Sequence, residues 1–318
     1  MDPIKVRPLR DDLSFGVRVT GMTEAHTKDS GVRQQINDLF YDRGMIVFEE
    51  VEPSSRMQVA LSDIFGPLKD HPVPTVPRVD KDAMPGVIDM TYKPDDCALV
   101  EIGGKTLTCW LPWHFDHCYN NELNYAGILR AVDIAPEGGM TGFADGIALY
   151  KDFSPELRAK IEGLGIIYSL DLHYGHMRFG LPKGFRVLGE SSGADYLAER
   201  AKTLPRAVHP AVWTRKTGEK VLHVSPWMAQ GIKDHEDPEG DALLEAVCQE
   251  VCAKVKSYFH QWKPTDMLIW DNIRMLHAVS GHDPRYARRM QRTTIKGDYG
   301  LGYFEGQAKG DKLLEMTV

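Results

Sequence analysis

The decapeptide LPWHFDHCYN holds His114, Asp116 and His117 within four residues. In a strand, residues two apart share a face, so the imidazole of His114 and the carboxylate of Asp116 can converge on one point while His117 turns away. Trp110, Leu111 and Trp113 make that point apolar, where a pair left without a cation is costly to bury. The spacing alone is weak. Composition gives about two His-x-acid pairs by chance, and the chain contains two. The other, His235 to Asp237 in IKDHEDPEGD, falls in a polar turn where water satisfies every group. A structural His–Asp hydrogen bond without metal is the competing reading of 114 and 116.

A third ligand is offered far downstream. DMLIWDNIRMLHAVSGHD reads as a buried strand, a turn at Asp271 and Asn272, and a second apolar run ending in His277. His282 is the rival, in the loop SGHDPRY. Two histidines and one carboxylate with three positions left open form the facial arrangement of non-haem Fe(II) oxygenases. Zinc takes four ligands or keeps one position open, and favours cysteine or a third histidine.

The elements that must position these side chains change character along the chain. Near the N-terminus, SGVRQQINDLFYDRG reads as a helix with Ser30 as N-cap and Gly44 as stop, followed by the apolar run MIVFEE. PSSRMQVALSDIFG repeats that logic, and both helices are expected to flank a sheet. From about residue 107 come eight short runs rich in β-branched and aromatic residues, from TLTCWLPWHFD to RMQRTTIKGD, with turns between them. They predict a mainly β chain with flanking helices, a jelly roll or sandwich. FSPELRAKIEGLG, with Ser154 as N-cap, and EGDALLEAVCQEVCAKVKSYFHQWKP, stopped by Pro264, interrupt the strands as helices. The stretch 174–205 has five glycines and little periodicity. Loops of that length are active-site covers or binding segments. No repeat or flexible linker divides the chain, so one domain spanning 1–318 with a lid insertion at 174–205 is expected.

Composition excludes several functions. A net charge of −7 without a basic block disfavours nucleic acid and anionic membranes. No apolar run reaches the roughly 18 residues of a membrane span, and MDPIKVRPLRDD lacks a signal-peptide core. Five cysteines without a C-x-x-C pair suit free thiols in a reducing compartment, and a cytoplasmic protein is expected. Cys248 and Cys252, one helical turn apart, read as core packing.

Six segments in order resemble the TauD/TfdA (taurine and 2,4-dichlorophenoxyacetate dioxygenase) family of Fe(II)- and 2-oxoglutarate-dependent enzymes: FGPLKDHPV, WHFD, EGGMTGFADGIALYKDFSPELRAKIEGL, VHPAVWTRKTGEKVLHV, IWDNIRMLHAV and RRMQRTTIKGD. The likeness runs from about residue 5 to about 300. It implies a double-stranded β-helix (jelly-roll) core, His114, Asp116 and His277 as iron ligands, and O2 as co-reactant. By the same resemblance Thr141 and Arg288 hold the distal carboxylate of 2-oxoglutarate, with Arg289 as the adjacent rival. A forked guanidinium and a hydroxyl suit that anion, and strand alternation sets Arg288 and Arg292 on one face and Arg289 on the other. Arg292 and His71 stand where relatives meet a substrate anion. The chain departs from taurine enzymes at Trp110, in place of an asparagine, and at Pro74, in place of a tyrosine. Apolar bulk for polar groups implies a larger, partly aromatic, anionic small-molecule substrate stacked on Trp110, with Met228 another candidate for the pocket wall. The resemblance also implies a homo-oligomer. The competing functions are a zinc-dependent hydrolase or cupin-like isomerase on a related barrel, and a non-catalytic small-molecule binder.

Overall fold

The structure, a computed structural model, describes residues 2–70, 76–80 and 84–307. Two mainly antiparallel sheets carry the site. The larger runs, in spatial order, Lys5–Pro8, Val17–Thr20, Met45–Phe48, Met267–Asp271, Ala126–Asp133, Arg289–Ile295, Met84–Thr91 and Arg78–Asp80. The smaller runs Arg186–Gly189, Leu99–Ile102, Lys105–His114, Met275–His282, Thr141–Asp145 and Ser257–His260. Around the site the chain alternates between the sheets: Lys105–His114 leads to Ala126–Asp133, that to Thr141–Asp145, and Met267–Asp271 to Met275–His282 and then Arg289–Ile295. That alternation makes the expected jelly roll.

Strand alternation explains how the core divides. Leu268 and Trp270 point inward with Leu129 and Met290, and meet Phe143 and Met275 of the smaller sheet. Met267 and Ile269 point outward and are covered by Ile36, Phe40, Met57 and Leu61 of two helices, Ser30–Arg43 and Ser55–Asp63. A strand covered on both faces reads as a continuous apolar run, which is why MLIW shows no alternation. Trp270 is fully buried because Gly127 on the neighbouring strand leaves it room: a Cβ there would lie 2.8 Å from the indole Cη2.

The helix boundaries differ from expectation in three places. Asp29, not Ser30, caps the first helix, accepting from the Val32 N–H at 2.9 Å, while Gly44 closes it in the left-handed region at φ 76° as expected. The long helix spans Pro238–Lys254 and does not reach Pro264. Ser257–His260 instead pairs with Thr141–Asp145 and extends the sheet. Tyr258 and Phe259 suit a pleated surface, and pairing with an open sheet edge overrides the helical period that precedes them. Thirdly, the stretch 174–205 is not without regular structure. Arg186–Gly189 pairs with Leu99–Ile102 and so closes an edge of the smaller sheet. A helix, Ser192–Ala201, follows; Leu197 and Ala201 pack against the main core, and Ala194 is buried. All five cysteines are free thiols, with Cys248 in that core. Among the described residues no helix is long and apolar enough to cross a membrane.

Candidate metal centre

His114 is the last residue of its strand and pairs across to His277 on the next. Their rings lie 4.0 Å apart, centroid to centroid. Asp116 is not in the strand, as alternation had it, but in the turn beyond. What brings it back is Asn272. The Asp116 N–H donates to Asn272 Oδ1 at 2.7 Å, and Asn272 Nδ2 donates to the Asp116 carbonyl at 3.1 Å and to Asn124 Oδ1 at 3.1 Å. Asp116 Oδ1 thereby stands 3.6 Å from His277 Nε2. One ligand atom from each of His114, Asp116 and His277 lies within 4.8 Å of the others, and all three residues are buried.

Protonation suits a cation. His114 Nδ1 contacts the Pro112 carbonyl at 2.7 Å, so it carries the proton and Nε2 keeps its lone pair for the site. Burial, with His277 beside it, pushes the His114 pKa down to about 3 and keeps the imidazole neutral. Burial opposes ionisation of Asp116. The Arg292 guanidinium, with the hydrogen bond from His277, outweighs it and holds the carboxyl well below its ordinary range. A neutral imidazole and an ionised carboxylate are ligating forms. Among the described residues no cysteine joins the group to close a tetrahedron. The rival His282 is excluded by placement: it lies edge-on to Tyr92 at 5.2 Å and bonds the Asp283 carbonyl. His117, at φ 61°, turns its ring toward Tyr119.

Arg288 and Thr141 enter beside this group. Thr141 is buried, and its hydroxyl accepts from Trp262 Nε1 at 3.1 Å, which leaves the hydroxyl proton free to donate elsewhere. Arg288 Nε donates to the Gly139 carbonyl at 3.3 Å, two residues before Thr141. Gly139 has φ 64°, and a Cβ there would meet Arg288 Nε at 3.2 Å, so glycine makes the room for the guanidinium. Burial lowers the Arg288 pKa, and no carboxylate pairs with it among the described residues. A half-buried guanidinium without an anion fits the carboxylate of a ketoacid. Arg289, on the opposite face, grips Asp89 with two contacts of 2.8 Å.

Arg292 Nη1 lies 3.0 Å from each oxygen of Asp116, and its Nε is buried with no partner. Trp110 packs against Tyr174 at 5.6 Å and Phe185 at 5.3 Å, both from the 174–205 stretch. Met228 is buried against Cys118, and the neighbouring ring that reaches the site is Trp227, edge-on to His114 at 5.0 Å. His71, like Pro74, lies outside the described residues.

Sequence reasoning missed Asn272, Asn124 and Trp227. Asn272 was legible only as a turn residue, since its clamp depends on Asp116 far away in sequence. It also missed the buried pair of Arg274 and Asp145, at 2.8 and 2.9 Å, which pins the end of the Thr141–Asp145 strand.

Comparison with known proteins gives the chain a family and a fold. The chain matches the family described as Taurine catabolism dioxygenase TauD, TfdA family over residues 5–294. It is 28% identical over 288 residues to a (S)-phenoxypropionate/alpha-ketoglutarate-dioxygenase of Sphingobium herbicidovorans, covering 90% of this chain and 93% of that one. It is 24% identical over 300 residues to the alpha-ketoglutarate-dependent 2,4-dichlorophenoxyacetate dioxygenase of Cupriavidus pinatubonensis, covering 93% and 98%. Among solved structures, AAD-2 in complex with Mn(II) and N-oxalylglycine superposes with a TM-score of 0.70 at 23% identity, over 93% of this chain and 98% of that one. A taurine dioxygenase from Burkholderia xenovorans gives 0.65 at 22% identity, over 93% and 91%.

Proposed function

Because the chain belongs to the TauD/TfdA family of Fe(II)- and 2-oxoglutarate-dependent dioxygenases, we propose that it oxidises an unactivated C–H of a small anionic molecule with an aromatic or apolar body, releasing succinate and CO2. The cofactor set is the family's: Fe(II), 2-oxoglutarate and O2. Bound together, these supply the oxidising power that breaks the C–H bond.

The protein's residues supply the rest. His114, Asp116 and His277 would hold the iron, with Asn272 fixing Asp116 from behind. Arg288 and the Thr141 hydroxyl would bind the far carboxylate of 2-oxoglutarate and so set its orientation. Arg292, with a buried and unpartnered Nε, is the cation for a substrate anion. Trp110, Tyr174 and Phe185 form an aromatic cluster; Trp110 pairs with Ser280, on the sheet face opposite His277, so it does not offer the stacking surface expected of it and would shape the pocket only from behind its strand. The relatives named for phenoxypropionate and 2,4-dichlorophenoxyacetate are aryloxy-acid enzymes, and they support the same substrate class.

What carries the proposal is the half-buried Arg288 guanidinium, which pairs with no carboxylate among the described residues, on the chain segment that also brings Thr141 toward the open three-ligand group. The test is succinate formation from 2-oxoglutarate with Fe(II), under air and under nitrogen, across aryloxy acids, aliphatic sulfonates and amino acids. Aryloxy acids are expected to stimulate it and Trp110→Ala to raise their KM. Turnover that persists without O2 would overturn the oxygenase assignment, and stimulation by aliphatic sulfonates alone would overturn the substrate class.

A further inference from the structure

A second group of metal-ligand type lies outside the barrel interior, where the chain leaves the strand Gly165–Tyr168. In SLDLHYGHM, Asp171 and His176 flank His173 and the short turn Tyr174–His176. One ligand atom from each of Asp171, His173 and His176 lies within 4.8 Å of the others. Asp171 Oδ1 is 3.2 Å from His173 Nδ1, and Asp171 Oδ2 is 2.8 Å from His176 Nδ1. Bonds of about 2.0–2.1 Å to a tetrahedral zinc ion place its ligand atoms roughly 3.3 Å apart, so the spacing needs little adjustment.

We propose that Asp171, His173 and His176 form a second divalent-metal site, of the zinc class, that fixes the turn carrying Tyr174 against Trp110. The proposal does not rest on the iron site or on the substrate assignment.

Charge and hydrogen bonding support it. Both nitrogens of His173 face carboxylates, Nδ1 toward Asp171 and Nε2 toward Asp195 at 2.8 Å. A neutral imidazole has one N–H, so one of these contacts calls for an added positive charge. With a metal on Nδ1, the Nε2–H to Asp195 becomes the carboxylate–histidine–metal arrangement that fixes the ring and its tautomer. The Asp171 Oδ1 atom accepts from the His173 N–H at 2.9 Å, which orients the carboxylate and leaves Oδ2 for the ion. Glu190 adds a third carboxylate: Oε1 accepts from the Gly175 N–H at 3.0 Å, and Oε2 is buried with no hydrogen-bond partner. Among the described side chains, neither Asp171, Asp195 nor Glu190 pairs with a lysine or arginine. Two histidines and oxygen ligands, with room for water, suit zinc or its neighbours in the first transition row.

The effect on the fold is local. Tyr174 lies between the two histidine ligands, its hydroxyl donates to the Trp110 carbonyl, and its ring contacts Trp110. An ion that ties residues 171, 173 and 176 together closes that turn. Asp195 extends the tie to the helix Ser192–Ala201.

The untagged full chain, stripped with a chelator, is titrated with Zn2+ and read by native mass spectrometry. Wild type is expected to hold one ion more than His176→Ala or Asp171→Asn. Asp195→Ala is expected to keep the ion about 10–100-fold more weakly. His176 is 61% exposed, so its truncation does not endanger folding. Amide exchange at His176 and Met177 should slow on zinc addition in wild type and not in His176→Ala. An ion count in either of the first two variants equal to that of wild type overturns the site, whether or not the iron group also takes zinc. Unchanged exchange in zinc-loaded wild type overturns the brace.

Discussion

Two clusters of one aspartate and two histidines occur in this chain, and they are built in opposite ways. His114, Asp116 and His277 come from two strands and a turn distant in sequence, are all buried, and are aligned by the cross-strand pairing and by Asn272. Asp171, His173 and His176 come from six consecutive positions at the rim and hold one another through a short turn. The barrel interior excludes water and strengthens every electrostatic contact, so its ligands must be fixed before a cation arrives. At the rim water screens the same groups, and a loose turn is sufficient. The contrast shows where this fold requires precision and where it allows adjustment.

Substitutions that act on one side only can break that contrast. The largest effect is expected from Asp116→Ala, which removes the ligand that Asn272 aligns. Succinate formation should fall to background, and retained turnover would remove the iron assignment. Arg288→Met comes next. Losing charge-assisted hydrogen bonds worth about 1.5–3 kcal/mol should raise the KM for 2-oxoglutarate about ten- to a hundredfold, measured by initial rates against cosubstrate concentration. An unchanged KM would move the role to another cation.

Asn272→Ala separates alignment from ligation, because every ligand remains. Fe(II) affinity is expected to drop about 10–100-fold, and thermal unfolding should shift downward by the roughly 1–3 kcal/mol of buried groups left unpaired. A lower melting temperature with unaltered iron affinity would reduce Asn272 to a purely structural residue. Tyr174→Phe touches only the rim. Loss of its bond to the Trp110 carbonyl, about 1 kcal/mol, should raise the KM for an aryloxy acid severalfold and leave that for 2-oxoglutarate alone. The smallest effect is expected from Arg289→Ala, whose half-exposed pair with Asp89 is worth about 1 kcal/mol or less. If it matched Arg288→Met in cosubstrate kinetics, the face assignment from strand alternation would fail.

Periodicity made much of this architecture legible. Most strands from Lys105 onward, the helices on the larger sheet and the types of the three chemistry-bearing residues of the interior follow from local pattern. What escaped depended on partners far away in sequence. Asp116 seemed to need only alternation, yet it lies past the strand end and owes its position to Asn272. The helix ending at Lys254 gives way to Ser257–His260 because a sheet edge is available there, which no local window reveals. The same holds for Arg186–Gly189, whose pairing with Leu99–Ile102 orders part of a glycine-rich stretch. Trp227 was passed over for its neighbour Met228 because facing direction in a turn cannot be read from spacing.

The cross-strand partnership of His114 and His277 has one more outcome. Sliding either strand by a single residue would turn an imidazole to the far side of the sheet, beside Trp113, and in the same move expose its apolar neighbours. Redox competence and correct strand threading therefore stand or fall together, so a misthreaded chain has no partial activity. Diversification toward new substrates is left to the rim, where side chains can change without disturbing the weave.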